Sequence, residues 1–381
     1  MKKFVSVLLC LLCALPAAAC KKEAPAPRIW LIEPSSTAAE TEIRQMVRHF
    51  NSNALISFVP AEELSVRLNA AIEKDDAPDV FMLYADSIPD LAEKEKLADL
   101  GDRLRVSKVK ADELSDSARR ACVYQGKTRG VPIFTDVYML ATNRALVSAP
   151  PDSAEKLMSV CGELKTKQIS SFEKLTPEKQ SVLFEALLYS HGGKMLNGRK
   201  TKLEFTSEEG KAALENCAEL LKSASDKPDS TGMGEAAFSV LTMRERAQNA
   251  ERYPDSEITL SSLFGLERLQ TVALGMSKQS KNQKQAFELL EFLQTETDKL
   301  SALYKRYSAK KNIEPLSTDD ADAIRNLYQA SPAPALCGYE SLVKTYIPAA
   351  IEKAGKGVNT TDALNEAAED ASDNIWKGKR E

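Results

Sequence analysis

A chain of 381 residues, 43% of them apolar, is long enough to bury two cores of ordinary domain size. Its 51 Lys and Arg stand against 55 Asp and Glu, a net charge of −4. No basic stripe or row of interleaved aromatics breaks that balance, so no nucleic-acid partner is expected.

The opening residues, MKKFVSVLLCLLCALPAAAC, carry Lys2 and Lys3, then an apolar run from Phe4 to Leu15, then small residues up to Cys20. The run is too short for a permanent span, which needs about 20 apolar residues, and reads as an export signal over residues 1–19. Three alanines directly before Cys20 resemble the lipobox of bacterial lipoproteins, although Ala17 stands where Leu is usual. The resemblance implies that Cys20 is acylated and that residues 20–27, with KKEAPAP, form a tether to the cell envelope, facing the periplasm or exterior. An ordinary secretory signal cleaved after Ala19 is the alternative. Cys122, Cys161, Cys217 and Cys337 remain in the mature part; outside the cytoplasm they permit disulfides, with three possible pairings. His49 and His191 lie far apart, neither with a second ligand at metal spacing, so no metal is expected and no cofactor motif stands out.

From Arg28 the chain reads β-α-β. RIWLIEPSS is a strand broken by Pro34, TAAETEIRQMVRHFNSN places Ile43, Met46, Val47 and Phe50 at helical spacing, and LISFVPA is a second strand. AEELSVRLNAAIEKDD is a helix with Leu64, Leu68, Ala71 and Ile72 on one face, and PDVFMLYAD is a third strand whose unbroken apolar run suits burial on both faces. In such open sheets ligands sit beyond the carboxyl ends of the strands. Glu33, Ser35 and Ser36 should therefore share a rim with Tyr84 and Asp86; capping the following SIPDLAEKEK helix is a second role open to Asp86.

ARRACVYQGKTRGVPIFTDVYMLATNRAL reads as a helix end, a hairpin around Gly126 and a long extended run whose polar Thr135 and Asp136 suggest a crossing between lobes. Residues 153–224 read as almost wholly helical, broken at Gly192 and Gly193, with a Thr206 cap and Glu209 three residues on. FSVLTMRERAQ and EITLSSL suggest a strand pair. KNQKQAFELLEFLQTETDKLSALYKRY, DADAIRNLYQAS and a tail from Tyr339 to Trp376 are helical.

Four stretches in order resemble bacterial extracellular solute-binding proteins of the maltose-binding type. RLNAAIEKDDAPDVFMLYADSIPDLAEKEKLADL is similar to their helix, Pro-Asp-Val strand and following helix; YQGKTRGVPIFTDVYMLATNRALV to their Gly-Lys…Gly-Val-Pro element, with Thr142-Asn143 at the Tyr-Asn-like pair. LLYSHGGKMLNGRKTKLEFTSEEGKAALE resembles their Gly-Gly turn and helix, and VALGMSKQSKNQKQAFELLEFLQTET their Ser-Lys-Asn block. The resemblance implies an α/β, two-lobe periplasmic-binding-protein-like fold of type II, each lobe a mixed sheet flanked by helices, joined by a hinge. It implies a small polar solute, such as a sugar, held between the lobes and delivered to ABC permease subunits by a monomer. It implies no catalysis, and the residues agree: no Ser/His/Asp set, phosphate loop or paired-carboxylate site stands out, so a secreted hydrolase has little support.

The lobes are expected at residues 28–135 with 275–331 and residues 136–274 with 332–381. Cleft candidates, besides the rim residues, are Phe134, Asp136, Tyr138, Tyr189, the Gly192-Gly193 turn, Arg244 and Arg246. Paired arginines can clamp a carboxylate or phosphate, so an anionic ligand stays open. Sugar binders commonly stack hexoses on Trp, but the chain has only Trp30, in a strand that suggests core packing, and Trp376 near the end. That scarcity keeps a second class of function in view: a surface lipoprotein with this fold that acts as a scaffold or adhesin.

Overall fold

The computed structural model describes residues 26–313 and 330–376. The expected export signal, Cys20, most of the tether and most of the DADAIRNLYQAS helix lie outside those residues.

The amino-terminal part follows its periodicity. β1 (Arg28–Ile32), α1 (Thr37–Phe50), β2 (Leu55–Val59), α2 (Leu64–Glu73) and β3 (Val80–Tyr84) succeed one another, and β1 lies parallel between β2 and β3. Helical crossovers are what allow successive strands to run parallel. Ser36 starts α1 by accepting a hydrogen bond from the Ala39 amide at 3.2 Å, and Ile43, Met46 and Val47 form the buried face. β3 shows why an unbroken apolar run makes a strand. Val80 and Met82 enter one core with Ile43 and Val47 of α1, whereas Phe81 and Leu83 enter another with Leu68 and Ile72 of α2. Successive side chains point to opposite faces, and here both faces are covered.

Three short helices, α3 (Ile88–Glu93), α4 (Gly101–Arg105) and α5 (Asp116–Ala121), lead to a hairpin of β4 (Val123–Tyr124) and β5 (Lys127–Thr128). Its turn residues Gln125 and Gly126 both have positive φ, 49° and 72°, the geometry that matches strand twist. β6 (Val131–Asn143) is then buried along its whole length.

The strand path is β2-β1-β3-β10-β6-β8-β7, where β7 is Ser170–Phe172, β8 is Ala236–Thr242 and β10 is Arg268–Met276. β6 pairs through its first half with β10 and through its second with β8 and β9 (Ile258–Ser261). Short β11 (Tyr307–Ser308) and β12 (Ser331–Pro332) add to β6 and β10. On the far side α6 (Ala154–Thr166), α7 (Pro177–Ser190) and α8 (Glu208–Lys222) cover β7 and β8, and α7 buries every residue from Ser181 to Leu188. α9 (Met243–Arg252) follows β8; α10 (Gln283–Thr295) returns to β3 and β10, and α11 (Thr297–Tyr304) packs on α1, β6 and β11; α12 (Ile347–Gly355) and α13 (Thr360–Trp376) pack on α7 and α8. The apolar side chains fall mainly into two bodies. One draws on Ile29 to Phe134 and Val272 to Ala309, the other on Tyr138 to Leu263 and Leu336 to Ile375.

Four local expectations change. MRERAQ is the start of α9 rather than strand, and β8 and β9 both pair with β6 instead of with each other. Residues 153–224 include the strand β7, which lies parallel to β8. Ser207, not Thr206, caps α8. Cys122, Cys161 and Cys217 are free thiols buried in the cores, and burial pushes the Cys161 thiol up to about 12.

Candidate functional site

A cavity of about 410 Å³ opens where the two bodies meet, within the roughly 300–1,000 Å³ usual for ligand sites. The first body supplies Ala61, Glu62 and Ser65 between β2 and α2, Tyr84 at the end of β3, and Arg306 after α11. The second supplies Thr176 to Lys179 at the start of α7, Thr242, Arg244, Glu245 and Gln248 around the start of α9, and Lys344 in the tail. Tyr138 and Gln270 come from β6 and β10. A chamber of about 50 Å³ adjoins it, sharing Tyr84, Tyr138, Glu178 and Gln270 and adding Asp86, Glu185, Arg268 and Tyr339.

The polar groups are linked. Gln270 Nε2 donates to Tyr138 Oη at 2.8 Å, and Tyr138 Oη donates to Glu178 Oε1 at 2.7 Å. Burial, reinforced by Glu178 and Glu245, holds the Tyr138 hydroxyl well above its ordinary pKa, so it remains a donor. Thr242 and Glu245 form a capping box that starts α9, and Glu245 also pairs with Lys179 at 3.0 Å. Asp136 lies behind this wall: its carboxylate accepts from the Val137 and Met243 amides at 2.9 Å and from the Arg244 amide at 3.3 Å, tying α9 to β6. Burial raises the Asp136 carboxyl to about 6, against the pull of Arg306 and those amides.

In the smaller chamber Asp86 Oδ1 is buried without a hydrogen-bond partner. Burial raises its pKa to about 7, opposed by the Lys344 charge. Lys344 pairs with Glu340 at 2.7 Å and lies over the Tyr84 ring, 5.8 Å from its centre. Burial alone would lower its ammonium, but Asp86 and Glu340 hold it above the ordinary lysine value. Arg268 pairs with Glu185 and donates to Tyr339 Oη at 3.2 Å.

Of the residues singled out from sequence, Tyr84, Asp86, Tyr138 and Arg244 line these spaces. The others sit elsewhere for identifiable reasons. Phe134 is 1% exposed and packs against Tyr304, with ring centres 5.2 Å apart. Ser36 caps α1, Ser35 Oγ donates to the Leu303 carbonyl at 3.0 Å, and Glu33 is exposed outside the cavity. Tyr189 and Gly192 end α7 away from the cavity, and Gly193 makes room for Leu188 and Glu209 where α7 meets α8. Arg246 lies on α9 outside the lining, Asp136 buttresses rather than lines it, and Asp86 is not a helix cap. Sequence reasoning missed Glu178, Lys179, Gln270, Arg306 and Lys344. Only Thr176-Pro177-Glu178 carried a local signal, a capping residue followed by Pro at the first helical position. Trp30 and Trp376 pack on the cores, so the cavity's aromatic surface is tyrosine. Among the described residues no cluster of three or more potential metal ligands occurs.

A cavity walled by both bodies, with Tyr138, Glu178, Lys179, Glu245 and Gln270 held in place by one another, is suited to holding a small polar solute. A family model described as bacterial extracellular solute-binding protein matches residues 51–333, and the chain belongs to that family of binding proteins. No curated protein matches the sequence significantly. Solved structures share the two-lobe α/β fold. An ABC substrate-binding protein from Listeria monocytogenes in complex with cycloalternan has TM-score 0.77 at 18% identity, covering 94% of this chain and 99% of that one. A Thermotoga lettingae ABC transporter solute-binding protein bound with alpha-D-tagatose has TM-score 0.75 at 17% identity, covering 92% and 100%. The cyclic alpha-maltosyl-1,6-maltose binding protein of Arthrobacter globiformis has TM-score 0.73 at 18% identity, covering 93% and 100%.

Proposed function

We propose that the chain captures a small polar solute, a sugar or related compound, between its lobes and delivers it to an ABC permease while held to the cell envelope by a lipid on Cys20. The observation that carries this reading is the 410 Å³ cavity whose walls come from both bodies and in which Tyr138, Glu178, Gln270, Lys179 and Glu245 are held in place by one another. The sugars bound by the solved relatives support the ligand class. We place the lobes at residues 28–135 with 275–331 and 136–274 with 332–381, with one adjustment. β10 is already paired with β3 from Val272 onward, so the return crossing belongs at Arg268 to Thr271.

A thermal-shift screen of sugars, polyols, amino acids and phosphorylated compounds on the purified protein tests capture. A ligand specific to the native state adds about 2.7 kcal/mol of stability at 100 times its dissociation constant. Silence across the whole panel would favour the scaffold reading, which the absence of tryptophan from the cavity also suits. Anchoring has its own check: Cys20→Ser should leave the protein unlabelled by fatty acid and release it from the membrane fraction.

A further inference from the structure

Most charges in and around the cavity have a partner. Lys179 pairs with Glu245, Lys344 with Glu340 and Arg268 with Glu185. Arg244 and Arg306 do not follow that pattern. Both line the cavity, the Nε of each is buried without a hydrogen-bond partner, and among the described residues neither guanidinium forms an ion pair. Arg306 is only 3% exposed. The acid that acts on both is Asp136, but its carboxylate is engaged by the Val137, Met243 and Arg244 amides.

Two guanidinium groups lining one cavity, one buried and the other half-buried, repel each other and lose hydration, an unfavourable arrangement unless an anion joins them. Both side chains line the same cavity, and burial with the neighbouring Arg306 charge lowers the Arg244 pKa. A planar guanidinium offers parallel N–H donors that match the oxygens of a carboxylate or phosphate. Tyr84 and Tyr138, with Glu178 and Gln270 beside them, supply the ring surface and the hydroxyl-binding groups that a polyol needs.

Building on the solute-binding reading, we infer that the ligand is an acidic hydroxylated solute, a sugar acid or sugar phosphate, whose anionic group sits on Arg244 and Arg306. The shared chemistry is the anion beside a polyol; carboxylate and phosphate are told apart by experiment.

The test is calorimetric titration and thermal shift of the purified protein with matched probes: D-glucose, D-glucuronate and D-glucose 6-phosphate; D-galactose and D-galacturonate; D-mannose and D-mannose 6-phosphate. At least one acidic probe should bind 10-fold or more tighter than its neutral counterpart. Arg244→Gln should erase most of that preference while leaving weak binding of the neutral sugar. Arg306→Gln should do the same where it folds; because Arg306 is buried, the more accessible Arg244 variant carries the test if it does not. Whether glucuronate or glucose 6-phosphate gains more identifies the anion. A neutral sugar bound as tightly as its acidic counterpart, or an acid preference that survives Arg244→Gln, would overturn the inference and leave the solute-binding reading standing. No binding by any member of the panel, acidic or neutral, would overturn both.

Discussion

Asp86 ends the β3 run inside the cleft, and its buried, unpartnered Oδ1 makes it a sensor of pH. A carboxyl whose folded pKa is raised stabilises the fold most when protonated. That contribution is whole below the unfolded value of about 4 and is lost as the pH rises through the folded value. For Asp86 the folded value is about 7, and Asp136, raised to about 6, acts in the same direction. Surface carboxyls with lowered pKa, such as Asp75 and Asp116, have the opposite sign but titrate below their ordinary range, so the windows separate. The Tm of unliganded protein should therefore fall between about pH 5 and pH 7.5, and Asp86→Asn should flatten the fall. A wild-type Tm that rises steadily across that interval would contradict the assignment. At this scale the sequence exposed only part of the site. Tyr84 and Asp86 were legible because they lie at and just beyond the end of a strand whose carboxyl end had to face a rim. Arg306 and Lys344 were not, since nothing local in LYKRYS or LVKTYI says which distant strand a cation will meet.

Elements were more legible than residues wherever one periodicity dominated. The β1-α1-β2-α2-β3 order follows from apolar spacing alone, and Phe81, 0% exposed between β3 and the α2 and α3 helices, is the anchor of one face. Phe81→Ala should cost about 3–5 kcal/mol of stability, read by urea unfolding, through the cavity it leaves. The α9 start failed because Thr242, Met243 and Arg244 suit either a strand end or a capped helix; the Thr242 and Glu245 capping box decides it, a signal present at the right spacing but read through the apolar run before it. The SEEGKAAL segment shows the opposite case, in which a family-like glycine has a local physical reason. Gly210 sits in the first turn of α8, where an added Cβ would lie 1.7 Å from the Phe205 carbonyl oxygen, a backbone atom with nowhere to go. Gly210→Ala, despite the higher helix propensity of alanine, should destabilise the protein by about 1–3 kcal/mol. Stabilisation by Gly210→Ala in thermal unfolding would show that this close approach is relieved at little cost.

For the whole molecule, the order of segments could be anticipated, whereas the cavity could not, because it is made where chain segments far apart in sequence are brought face to face. Gln270 reaches Tyr138, Lys344 reaches Tyr84, and at one edge Asp90 Oδ1 accepts from the Gly338 amide at 3.0 Å and from Cys337 Sγ at 2.9 Å. At another edge Lys305, just after α11, pairs with Glu251 of α9 at 2.6 Å. In the proposed lobe division that pair spans the cleft. Both side chains are substantially exposed, so it contributes only about 0–1 kcal/mol and cannot hold the fold together. A lobe-closure equilibrium responds to energies of that size, since a ligand's apparent affinity scales with the population of the binding-competent form. Glu251→Lys replaces the attraction with repulsion and should favour the open form. The expected result is a larger radius of gyration for the unliganded protein by small-angle scattering and an affinity lower by up to about fivefold, with urea unfolding nearly unchanged. Equal affinity and identical scattering in the variant would mean that the pair is a surface contact without influence on closure. A loss of stability that tracks the loss of affinity would place Glu251 in the support of α9 instead.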